Sequence, residues 1–66
     1  MQTIHLLKRG EQIIYVFEDL KEALQKAMAE QLSIVRLRVN EDGTVRPMVI
    51  YEPRIECGVV KFIENL

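Results

Sequence analysis

The stretch from Ile34 to Ile50, IVRLRVNEDGTVRPMVI, decides how this chain folds. Side-chain character alternates on both sides of Asn40-Glu41-Asp42-Gly43-Thr44, which is the two-residue period of a strand with two different faces. Asp42-Gly43 suits a type I turn closed by a left-handed glycine, the usual three-residue hairpin loop. Pairing Asn40 with Thr44 sets the register. Val39 then faces Val45, Leu37 faces Pro47 and Val35 faces Val49. The opposite face pairs Arg38 with Arg46, Arg36 with Met48 and Ile34 with Ile50. Pro47 has no N–H for the ladder, so its strand is expected at an edge or with that nitrogen turned outward.

Upstream, Asp19 to Leu32 changes period. Leu20, Ala23, Leu24, Ala27, Met28 and Leu32 recur at helical spacing and form one apolar stripe. Asp19 is a natural N-cap, Glu22 three places on resembles the second half of a capping box, and Glu22 and Lys26 stand i, i+4 in the favourable order. Before the helix, Thr3–Lys8 and Gln12–Phe17 read as strands flanking Arg9-Gly10-Glu11. Gly10 supplies the positive φ that a tight hairpin needs, with a loop of two or three residues.

Downstream, Ile55, Val59, Phe62, Ile63 and Leu66 fall on a helical stripe, and Pro53 suits a first helical turn. A C-terminal helix over Arg54–Leu66 is therefore expected. The alternative is a fifth strand from Ile55 to Ile63 with Gly58 at a bulge, because Val59-Val60 favour a strand. The expected fold is α+β: an antiparallel four-stranded sheet in ββαββ order, followed by that helix or by the fifth strand. Residues 1–66 make one small domain.

Nine basic and ten acidic residues give a net charge of −1, which excludes a bulk polyanion binder while leaving room for a local basic patch. The single cysteine, Cys57, allows no internal disulfide and reads as a small packed hydrophobe. The N-terminal residues lack a secretory pattern, and the longest apolar run, Ile13 to Phe17, falls far short of a membrane span. These features point to a cytoplasmic protein with no membrane partner. His5 is the only histidine and reads as a packed or solvent-facing side chain rather than a ligand or base. With one His, one Cys and no metal-ligand spacing, no metal or cofactor is expected. Isolated glycines carry no phosphate-cradling motif, and no catalytic motif is visible, so the chain reads as a non-enzyme.

One short helix covers one side of a four-stranded sheet. The open side is expected to carry Ile34, Met48 and Ile50, each worth about 1.5–3 kcal/mol when fully buried. A second copy covering them about a two-fold axis is the expected resolution, making the chain a homodimeric or larger binding or accessory module; another protein is a further possible partner. Arg36, Arg38 and Arg46 project from the same face. Directly opposed like charges destabilise a sheet, so compensation by solvent, a carboxylate or a bound polyanion is expected. The alternative function is accordingly a nucleic-acid-binding regulator that uses these arginines, since a two-stranded ribbon can enter the major groove.

Overall fold

Residues 2–64 are described by a computed structural model, with residues 55 and 60–64 as backbone alone. β1 (Gln2–Arg9) and β2 (Gln12–Phe17) form the first hairpin. Arg9 pairs with Gln12, so the loop has two residues. Gly10 takes a φ of 61° and Glu11 stays at negative φ, as a turn with glycine in its first central position requires. Between Leu7 and Lys8 the register shifts, leaving Ile14 as an extra residue on β2.

Helix α1 (Leu20–Glu30) starts where the Asp19 carboxylate accepts the Glu22 N–H at 3.1 Å. It ends at Gln31, which adopts the left-handed conformation (φ 56°) and donates its N–H to the Ala27 carbonyl. The charge pair on the helix surface is Lys26–Glu30 at 3.3 Å, where the expected pair was Glu22–Lys26.

β3 (Ser33–Val39) and β4 (Val45–Glu56) form the second hairpin. Its register from Val39–Val45 to Val35–Val49 matches the expectation pair by pair. The last expected pair is replaced: Ile34 faces Tyr51, because a register shift makes Ile50 an extra residue. The loop closes on side chains as well as backbone. Asp42 Oδ1 accepts from the Thr44 N–H (3.0 Å) and hydroxyl (2.7 Å), and Asn40 Nδ2 donates to Thr44 Oγ1 (2.8 Å).

The C-terminal helix is not formed. β4 runs on through Pro53 to Glu56, and β5 (Val59–Glu64) pairs back on Tyr51–Glu56. Leu66, the end of the expected stripe, lies outside the described residues. The turn between the strands is Cys57-Gly58, with φ of 52° and 77°. Gly58 would weaken a helix interior by about 1 kcal/mol but is well suited to a turn that demands positive φ. The fifth strand therefore starts later than the alternative reading placed it, and Gly58 sits in the turn rather than at a bulge.

The described residues make one antiparallel sheet in the order β2-β1-β3-β4-β5 with one helix, an α+β fold. β2 and β3 both run antiparallel to β1 and hence parallel to each other. The chain must cross β1 through α1 to join them, and the strong handedness of such crossovers selects the face the helix covers. Beneath α1 lies the core of Leu7, Ala23, Ala27, Leu32, Ile34, Ile50 and Tyr51, all at most 1% exposed. Small Ala23 and Ala27 let the helix approach closely, and Ile14, Tyr15, Phe17, Leu20 and Leu24 pack around the rim. Met28, expected in the stripe, is exposed.

Candidate binding surfaces

Cross-strand partners in an antiparallel sheet share a face. The registers therefore sort this sheet without ambiguity. Thr3, His5 and Leu7 lie with Arg38, Arg36 and Ile34, and these with Arg46, Met48 and Tyr51. That is the helix-bearing face. Gln2, Ile4, Leu6 and Lys8 lie with Val39, Leu37, Val35 and Ser33, and these with Val45, Pro47 and Val49. That is the open face.

The expected interface residues are thus misplaced. Ile34, Met48 and Ile50 do share a face with the arginines, but it is the face the helix covers. Ile34 and Ile50 are fully buried within the chain and have no surface to offer another molecule; Met48 alone of the three is exposed. The reason is the crossover, which a strand-by-strand reading of the second hairpin does not reveal.

The open face carries the apolar residues instead. Ile4, Leu6, Val35 and Leu37 occupy its two central strands and are half-buried among one another. Val16 and Ile13 flank them on β2, at 57% and 52% exposure, and Val45 and Val49 on β4, at 50% and 45%. On this face of β2-β1-β3-β4 the charged side chains among the described residues gather toward one end, Lys8 on β1 and Glu52, Arg54 and Glu56 on the far part of β4, and none stands among Ile4, Leu6, Val35, Leu37, Val45 and Val49. The exposed apolar side chains are thus contiguous across these strands.

On the helix-bearing face α1 reaches over β1, β2 and β3, and of β4 only the stretch at Ile50 and Tyr51 joins its core. Beyond its edge stand Arg36, Arg38 and Arg46, which with Val45, Pro47 and Met48 line a cleft of about 390 Å³. Arg38 and Arg46 are direct cross-strand partners, as expected. Among the described residues none of the three arginines forms an ion pair, Lys26–Glu30 being the pair present. Arg36 Nε donates to His5 Nε2 at 3.4 Å, and His5 Nδ1 donates to the Glu18 carbonyl at 3.1 Å. These two bonds fix the ring as the Nδ1-protonated tautomer. His5 is 3% exposed, so it is the packed histidine of the two readings, and it also orients a guanidinium.

A polar cluster ties the helix C-terminus to the first hairpin. The Tyr15 hydroxyl donates to Glu30 Oε2 (2.7 Å), Lys26 lies 5.1 Å over the Tyr15 ring, and Arg9 donates to the Glu30 carbonyl (3.2 Å). The Tyr15 hydroxyl, and then Lys26, hold the Glu30 carboxyl below its ordinary range. The bond to Glu30 raises Tyr15, and the same carboxylate raises Lys26. Cys57 is exposed at the β4–β5 tip, which corrects its reading as a packed hydrophobe. Among the described residues no three His, Cys, Asp or Glu side chains converge as metal ligands, and no helix is long and apolar enough to cross a membrane. Comparison with family models, with curated proteins and with solved structures finds no match.

Proposed function

We propose that the chain works by binding rather than catalysis, as a homo-oligomeric module whose assembly surface is the open apolar face. The observation that carries this reading is the uncharged middle of that face, where Val16, Ile13, Val45 and Val49 stand up to 57% exposed and charge is confined to the end marked by Lys8 and Glu52. Such a face is complementary to a copy of itself, since apolar surface meets apolar surface about a two-fold axis without opposing like charges.

Area sets how much of the face a second copy must cover. Four strands about 4.8 Å apart and about seven residues of roughly 3.3 Å each give a rectangle of about 19 by 23 Å, before side-chain relief is counted. A stable interface buries about 800 Å² per partner. The flat rectangle of about 440 Å² is roughly half of that, so the whole face together with its side-chain relief has to be covered, as when two sheets stack at about 10 Å to form a sandwich. The need is also energetic, because a chain of 66 residues has only a few kcal/mol of net stability from one thin core.

Sedimentation velocity on the parent and on Leu37→Glu tests the proposal. Leu37 lies at the centre of the face, between Ile4 and Pro47. The parent should sediment as a dimer or larger species at micromolar concentration, and Leu37→Glu as a folded monomer. A variant that sediments like the parent would sink this reading.

A further inference from the structure

Three guanidinium groups stand within one small area of the helix-bearing face. Arg38 and Arg46 are cross-strand partners, which places their Cβ atoms about 5 Å apart, and Arg36 lies two residues along β3, about 6.6 Å from Arg38. Like charges so placed repel, and a sheet with no use for them is better served by Thr or Gln. No carboxylate answers them among the described residues. The nearest acidic turn is Glu41-Asp42, and Asp42 is engaged by Thr44.

The arrangement is also oriented. Arg36 spends its Nε on His5, whose ring is held from behind by the Glu18 carbonyl. Its terminal nitrogens are left without a partner among the described residues. Arginine presents such nitrogens as a planar fork that matches phosphate oxygens two at a time. The other residues lining the cleft are Val45, Pro47 and Met48, of which Met48 shares the arginines' face and gives it an exposed apolar side chain. The cleft volume of about 390 Å³ lies within the range of small-molecule sites.

We propose that the cleft framed by Arg36, Arg38 and Arg46 binds adjacent phosphate groups carried on an apolar or aromatic body, as in a nucleotide. The guanidiniums take the phosphates, and Met48, which shares their face, receives the body. The same chemistry is offered by a free nucleotide and by consecutive nucleotides of a single strand. The three arginines and Met48 lie on the side opposite the assembly face, while Val45 and Pro47 belong both to the cleft lining and to that face.

The full chain is titrated by calorimetry at neutral pH and about 50 mM salt, where phosphate contacts are strongest. The probes are inorganic pyrophosphate, adenosine triphosphate and a short oligothymidylate. Saturable binding is expected. Arg38→Ala and Arg46→Ala should each weaken it about tenfold or more, as loss of a charge-assisted contact does. Tighter binding of the triphosphate than of the oligonucleotide identifies a small ligand as the source; the reverse order identifies a strand. Without ligand, Arg38→Ala should melt no lower than the parent, because it relieves the Arg38–Arg46 repulsion. Absence of saturable binding by all three probes at millimolar concentration overturns the proposal. So does unchanged affinity in both alanine variants, and so does a fall in the ligand-free melting temperature of Arg38→Ala, which would show a structural role.

Discussion

Gln31 ends the helix in a conformation that glycine adopts freely and glutamine does not. Gln31→Gly should therefore raise stability by roughly 0.5–1 kcal/mol in urea unfolding, whereas Gln31→Val should lower it. A second residue-scale effect comes from Glu30. Its carboxyl lies below the ordinary 4.5 in the folded chain, first through the Tyr15 hydroxyl and then through Lys26. The folded state thus holds that proton less tightly than the unfolded state. The contribution is present above pH 4.5 and disappears as pH falls through the lowered value. Tyr15 and Lys26 are raised above 10.0 and 10.5, so their share is present below those values and is lost as pH climbs past the raised ones. Melting curves of Tyr15→Phe should consequently differ most from the parent at neutral pH and converge with it well below pH 4.5. A gap that stays constant from neutral to acid would show that Glu30 is not the partner that matters. Nothing in the sequence marks Tyr15 and Glu30 as neighbours; they meet only because the helix folds back over β2.

At the scale of elements, the β4–β5 hairpin turns on Cys57 at positive φ, where Asn is the preferred companion of Gly. Cys57→Asn should raise the thermal midpoint by a few degrees. A drop would mean that the thiol makes a contact the turn depends on. Much of the element structure was legible. Asp19 caps the helix as its position implies, and Asp42-Gly43 sets a register that five consecutive pairs obey. Two kinds of information were not legible. The extra residues at Ile14 and Ile50 put consecutive side chains, Ile14-Tyr15 and Ile50-Tyr51, against the core, and a strict two-residue period cannot foresee such a break. The C-terminal segment satisfied a helical spacing by its apolar positions, but its backbone signals, Gly58 and the Val59-Val60 pair, belonged to a hairpin. Conformational demand at one glycine outweighed periodicity over a dozen residues.

At the scale of the molecule, the second hairpin alone could not say which of its faces is covered. That follows from the path of the chain across β1, a property of the whole topology. The correction reverses the consequence of mutating Ile34. Ile34→Ala should cost about 2–5 kcal/mol as a core truncation, with no selective effect on assembly, while Leu37→Glu should dissociate the assembly and leave the fold. Dimerisation also predicts a melting temperature that rises with protein concentration, and a midpoint independent of concentration would argue for a chain that is stable alone. The most direct test is an isotope-filtered NOE experiment on a mixture of labelled and unlabelled chains. Contacts between chains are expected from the methyl groups of Leu6, Val35, Leu37 and Val49. A particle of single-chain size whose methyl contacts are all internal would contradict that expectation.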